Sequence, residues 1–198
     1  MRLLRPLALA AALAIAALPG SGFAQQALLI RSLAEKRVTQ LPEGVLFWRV
    51  EKFGTKAAAE ASAGPWSLVV DASGSAWLFT LGAAAGASPG GVRVAEIGPI
   101  LRVSATEYLL RINDASGPPG SITPIHSHPG SEAFFVLSGE QSIRGMHGTL
   151  RVNAGEGQAG HGADQAMQVS SSGASDLHAL VMFVVDAQKP FSTPASLP

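Results

Sequence analysis

From Val92 onward the chain alternates between short apolar-rich runs and breaks of glycine, serine or Asn-Asp. VRVAEIG, ILRVS, EYLLRIN, SITPIHSH, EAFFVLSG, EQSIRGM, GTLRVNAG, QAMQVSS and LHALVMFVVD follow one another at nearly regular spacing. Short runs of this kind, bounded by turn residues, predict the strands of an all-β barrel or sandwich. Alternate side chains of a strand face opposite ways, so each run has one face available for a core.

Before Val92 the pattern is mixed. Gln26 to Gln40 predicts a short helix ended by Pro42, and Val45 to Phe53 reads as a strand. KAAAEASAG is helix-prone and is stopped by Gly64-Pro65. Trp66 to Ala72 and Ala76 to Leu81 predict a hairpin around Ser73-Gly74, and Gly82 to Gly91 a flexible loop. The expected organisation is an N-terminal extension over 25–91, a barrel over 92–187 and a Pro-rich tail over 188–198 that wraps the surface or stays disordered. The extension is too short for a second barrel. It is suited to adding edge strands, capping the barrel or exchanging with a partner subunit.

Composition narrows the classes. The 198 residues are 47% hydrophobic, with 22 glycines and 13 prolines, which suits short strands and turns. Formal net charge is zero, so there is no basic surplus for nucleic acid or an anionic membrane. Cysteine is absent, which excludes disulfides, thiol catalysis and thiolate metal sites. At the N-terminus, Arg2 and Arg5 precede an Ala/Leu-rich core from Leu7 to Leu18, then Pro19-Gly20 and the small-residue site Gly22-Phe23-Ala24. This predicts a secretory signal over 1–24, cut after Ala24, with an apolar run too short to anchor the chain in a bilayer. The expected location is periplasmic or secreted. Arg2 and Arg5 are not adjacent, so the twin-arginine pattern is missing and export of a largely unfolded chain is expected.

The strongest chemical signal is GSITPIHSHPGSEAFFVLSG, residues 120–139. In a strand His126 and His128 share a face, together with Pro124 and Ile122. Pro129-Gly130 suits a type II turn. EAFFVLSG then resumes as a strand, and if the two strands are antiparallel neighbours Glu132 lands beside the histidines, with Phe134 and Val136 as an apolar wall. Two imidazoles and a carboxylate are the facial donor set for Fe(II), and they also suit Mn, Ni or Zn. A bare His-x-His is more often an exposed or hydrogen-bonded pair. The bounding glycines, the Pro-Gly dipeptide and the apolar strand favour the ligand reading.

The segment resembles the first motif of the cupin superfamily, G-x5-H-x-H-x3-E-x6-G, from Gly120 to Gly139 with every spacing kept. The resemblance implies a double-stranded β-helix, or jelly-roll, barrel with a divalent metal (Fe, Mn, Ni, Cu or Zn) in its mouth. It implies His126, His128 and Glu132 as ligands. The second cupin motif, G-x5-P-x-G-x2-H-x3-N, is poorly matched by GEGQAGHGADQAMQVSSSG. One register places Met167 where the late histidine belongs and another places Gln165 there, while His161 sits several residues early. The alternatives are a three-ligand site with Gln165, Met167 or water nearby, or His161 as the fourth ligand.

The remaining candidates read blandly. His147 is expected in an exposed turn, His178 at an edge or surface, and Glu156 in a solvated turn. Trp48, Trp66, Trp77, Met146 and Met182 are expected to pack. Either Tyr108 or Arg111 is placed to line a pocket. No Ser-His-Asp pattern, P-loop or dinucleotide fingerprint is evident. The leading expectation is an exported metal-dependent cupin acting on a small organic molecule, with Glu132 also accepting a proton. The resemblance implies oxygenase chemistry of the quercetin-dioxygenase type first, then isomerase or decarboxylase chemistry. The alternative is a non-catalytic module that binds a small ligand or metal. A third reading is a structural, metal-free barrel. A homodimer is the one protein partner the resemblance suggests.

Overall fold

The computed structural model describes residues 26–198, so the signal segment over 1–24 lies outside the described residues. Fourteen strands and one short helix follow in order. They are β1 (Leu29–Val38), β2 (Leu46–Phe53), α1 (Lys56–Ala61), β3 (Ser67–Ala72), β4 (Ser75–Gly82), β5 (Val92–Ile100) and β6 (Tyr108–Gly117). Then come β7 (His126–Ser127), β8 (Gly130–Ser138), β9 (Glu140–Gly145), β10 (Gly148–Asn153) and β11 (Gly157–Ala159). The chain closes with β12 (Met167–Ser171), β13 (Leu177–Asp186) and β14 (Thr193–Pro194). Among the described residues no helix is long and apolar enough to cross a membrane.

Three antiparallel sheets stack as layers. The central sheet runs β1-β6-β13-β8-β11, the inner partner β10-β9-β12-β7-β14, and the outer sheet β3-β4-β2-β5. The eight strands from β6 to β13 alternate between the first two sheets in the order that defines a jelly roll: β6-β13-β8-β11 faces β10-β9-β12-β7. The expected all-β jelly-roll barrel is therefore the observed architecture. The middle strands of the central sheet are buried on both faces, which explains why β13 reads LHALVMFVVD with hardly a polar break. Its Leu180, Met182 and Val184 pack outward against Trp48, Trp77 and Phe79 of the outer sheet. Val181, Phe183 and Val185 point into the barrel. β8 splits the same way, with Ala133 and Phe135 outward and Phe134 and Val136 inward.

Several expectations are corrected. The segment expected as a helix over 26–40 is mostly strand β1, paired along the open side of β6 from Leu29↔Ser116 to Val38↔Tyr108. Its Leu, Ala, Glu, Lys and Arg residues favour helix only weakly. The unpaired backbone of β6 offers a full ladder, and Leu33, Ala34 and Val38 still reach the outer core. β5 does not open the jelly roll but pairs with β2 in the outer sheet, so hydrogen bonding crosses residue 91 in both directions. ILRVS yields only the end of β5, and SITPIHSH only the two residues of β7, because Pro124 has no N–H for a ladder. Met146, expected in the core, is 62% exposed in the turn before β10. The hairpin at Ser73-Gly74 and the helix α1 stand where expected. Ser73 and Gly74 both have positive φ, as a two-residue hairpin turn requires. Thr55 caps α1 by accepting the N–H of Ala58.

Candidate metal centre

The two halves of the motif do not sit side by side in one sheet. β7 belongs to the inner sheet and β8 to the central one, so His126 and His128 face Glu132 across the barrel mouth. The connection is tighter than a type II turn. Gly130 does not adopt positive φ; a Cβ there would overlap the carbonyl of Val184 on β13. That close approach starts β8 directly after Pro129 and turns Glu132 and Phe134 inward. Gly120 and Gly139, at the ends of the motif, do have positive φ, at 84° and 74°.

Each histidine is oriented by a backbone carbonyl. His126 Nδ1 lies 2.8 Å from the Pro124 oxygen, and His128 Nδ1 lies 2.6 Å from the Phe191 oxygen. A carbonyl can only accept, so both Nδ1 atoms donate, and Nε2 is the nitrogen that a neutral ring has left for a metal. The rings lie 4.9 Å apart, edge to face. Phe183 and Phe191 flank His128 at 4.8 and 4.7 Å. Burial, with further contributions from His126 and Arg111, pushes the His128 pKa down to about 4, against the opposing pull of the Phe191 carbonyl. His128 is neutral at pH 7.

Glu132 is the anomaly. It is 3% exposed, and its Oε1 has no hydrogen-bond partner. Burial pushes its pKa up to about 8, with the His161 backbone N–H pulling weakly the other way. Its neighbours are His128, with Nε2 4.0 Å from Oε2, and His161, with Nδ1 3.9 Å from Oε1. The His161 Nδ1 is likewise buried without a partner. Two glycines make room here. A Cβ at Gly145 would overlap the His161 ring, and one at Gly160 would meet the Phe134 ring and the Glu132 stem. Gln165 is exposed, and Met167 is packed in the inner core.

Among the described residues no three His, Cys, Asp or Glu side chains are arranged as a ready metal cage. The chemistry nonetheless fits a divalent ion: two imidazoles whose Nδ1 atoms face backbone carbonyls, leaving Nε2 for a metal, and a buried carboxyl oxygen with no hydrogen-bond partner. The Phe191 carbonyl behind His128 is the kind of outer support that ligating histidines have. Sequence reasoning missed it, because nothing in QKPFSTPASLP signals contact with His128. The tail is ordered: Thr193 and Pro194 pair with Ser127 and His126.

His126, His128 and Glu132 border a cavity of about 450 Å³. Its walls are mainly apolar, with Phe134, Phe183, Phe191, Val169 and Val181 prominent. Arg111 lines it, whereas Tyr108 packs against the outer core. Val136, expected in the wall, is deeper in the barrel, and His161 is not among the lining residues. His147 and Glu156 are exposed in turns as expected. His178 is not a plain surface residue. Its Nδ1 lies 2.9 Å from Ser73 Oγ and its Nε2 3.0 Å from Asp114 Oδ1, while Asp114 also holds Arg31 at 2.8 Å. This Ser-His-Asp contact was invisible in sequence because its members come from two distant strands and a turn. It lies away from the cavity and ties the β3–β4 hairpin to the central sheet.

No family model matches the chain, and no curated protein matches it. Among solved structures it is similar to a cupin-like protein from Thermotoga maritima, at 15% identity and TM-score 0.39, covering 44% of this chain and 65% of that one. It is also similar to a double-stranded β-helix protein from Klebsiella pneumoniae (21% identity, TM-score 0.38, covering 44% and 75%). An oxalate oxidase gives 22% identity and TM-score 0.36, covering 42% and 45%. The chain spans less than two thirds of the first of these structures. At such scores the likenesses carry no weight alone, and the strand order decides. The fold is a double-stranded β-helix, or jelly roll. Within that barrel the site described above occupies the mouth. Fold alone does not fix chemistry, since one barrel hosts many activities.

Proposed function

We propose that this cupin is an exported metal-binding protein acting on a small organic molecule, with oxygenase-type chemistry as the first candidate reaction. The observation that carries the reading is Glu132: a buried carboxylate with an unpartnered oxygen, opposite two histidines whose Nε2 lone pairs are left free by backbone carbonyls. Such a group is costly to bury unless something compensates it. His126, His128 and Glu132 would hold the ion, with His161 the nearest further donor. A divalent ion there would supply Lewis acidity, or oxygen activation if it is iron. The chain's own contributions are separate. Phe134, Phe183 and Phe191 exclude water from one side of the cavity, and Glu132 is placed to take a proton from a bound substrate. The apolar run and Gly22-Phe23-Ala24 support export and maturation to a chain beginning at Gln25.

A second reading, a binding module without turnover, is favoured by one observation. The second motif supplies neither Gln165, which is exposed, nor Met167, which is packed in the core. The deciding experiment is elemental analysis of mature protein purified without a metal-affinity tag, beside a His126→Ala/Glu132→Ala variant. Near-stoichiometric iron, manganese, nickel, copper or zinc, lost in the variant, is expected. No metal in either, even after reconstitution, sinks the metal centre. Oxygen consumption or substrate loss by the loaded protein then separates the enzyme from the module.

A further inference from the structure

We infer that the β6 wall of the cavity is a carboxylate subsite, and that the ligand is a monocarboxylate with an apolar body. This rests on the reading that the cavity is the ligand site, but not on the metal. Arg111 and Asn113 lie two residues apart on β6 and so face the same way, into the cavity. Arg111 is the only Lys or Arg among the lining residues. Its Nε donates to Asn113 Oδ1 at 2.7 Å, its Nη1 lies 2.8 Å from Glu35 Oε1, and its guanidinium carbon sits 4.1 Å from the Phe191 ring centre. These contacts aim the planar fork and leave Nη2 without a hydrogen-bond partner among the described residues.

A guanidinium has no acceptor, so the contact settles which end of the Asn113 amide faces it. Oδ1 points to Arg111, and the Nδ2 donor is turned away. Asn113 is 2% exposed, yet Nδ2 finds no protein partner among the described residues. An amide donor on the cavity wall beside an aimed guanidinium is a place for an acceptor. The charge count favours a monoanion. Glu35 already balances part of Arg111 from the solvent side, and Glu132 is the one other acid at the cavity wall. A dianion would be left undercompensated in so apolar a space. The aromatic and aliphatic walls set the rest of the ligand.

The test is a thermal-shift and calorimetric titration of the mature protein kept in chelator, with phenylacetate, octanoate, phenylacetamide and acetate as probes. Stabilisation by phenylacetate or octanoate is expected, with at least tenfold weaker binding of phenylacetamide and acetate. Arg111→Met should abolish the effect. Asn113→Asp should abolish it too while keeping the fold, since the new carboxylate still accepts Arg111 Nε. The inference is overturned if neither carboxylate binds, if the amide binds as well as the acid, or if Asn113→Asp leaves binding intact. Binding seen only after metal is added, and indifferent to Asn113→Asp, overturns it while the metal centre stands. Carboxylate binding in a protein that never takes up metal supports it and sinks the metal centre instead.

Discussion

Two buried glutamates, one in the outer sheet and one in the central sheet, meet opposite fates. Glu51, in the outer sheet, is 1% exposed and fully engaged. It accepts from the Ser88 backbone N–H at 2.9 Å, from Ser88 Oγ at 2.7 Å and from Arg49 Nε at 3.0 Å. Burial pushes its pKa up, but the bonds from Ser88 and Arg49 outweigh that and hold it below the usual carboxylate value. Glu132, in the barrel mouth, is also buried, its Oε1 has no hydrogen-bond partner, and burial raises its pKa to about 8. A glutamate that serves the fold is satisfied by the fold. One that is left unsatisfied lowers the stability of the bare protein at neutral pH, a cost that the proposed metal would offset.

The comparison can be broken by opposite signs. Glu51→Ala removes the partner of Arg49 and of the loop at Ser88, and should destabilise by about 3 kcal/mol in denaturant titration. It should leave metal content per folded molecule unchanged. Equal loss of metal would mean the layers are not independent.

Glu132→Gln should act in the other direction in chelator. A carboxyl whose pKa is raised from 4.5 to about 8 favours the folded state below pH 4.5, and this advantage is lost as pH rises through about 8. His128, lowered from 6.5 to about 4, favours folding above pH 6.5 and loses that advantage as pH falls through about 4. From these two groups the metal-free protein should be most stable between about pH 4.5 and 6.5, where the slopes offset. It should lose about 1.4 kcal/mol per pH unit from 6.5 to 8. Glu132→Gln should remove that alkaline loss and abolish metal uptake. A persistent alkaline limb in the variant would assign the limb to another group.

Smaller effects sharpen the picture of the mouth. Phe191→Ala loosens the carbonyl behind His128 and should lower metal affinity by roughly 10–100-fold in chelator competition. Unchanged affinity would mean that His128 keeps its orientation without the tail. Gly145→Ala introduces a methyl against the His161 ring, and should change stability by no more than about 1 kcal/mol. If His161 is a ligand, metal affinity falls several-fold; if it does not fall, His161 leaves the ligand set.

Much of the barrel was legible because its strands carry their own pattern. β8 and β13 are largely apolar on both faces and bounded by turns, and His126, His128 and Glu132 all border the cavity at the mouth. What was hidden depends on partners distant in the chain. β1 has the residues of a modest helix and becomes a strand only because β6 needs an edge partner. Gly130 looked like a turn glycine, but its lack of a side chain serves contact with β13. The tail looked dispensable, and it holds His128 in place. The polar tie from Ser73 through His178 to Asp114 exists only once the outer hairpin meets the central sheet.

The same distant pairing has a consequence in time. In the central sheet Leu110 lies between Lys36 on one side and Val184 on the other, so its ladder joins nearly the whole described chain. Sheets assembled from such remote segments close slowly, because loop entropy is lost before the contacts form. A slow-closing chain stays extended long enough to be threaded, which is what the proposed route of export requires.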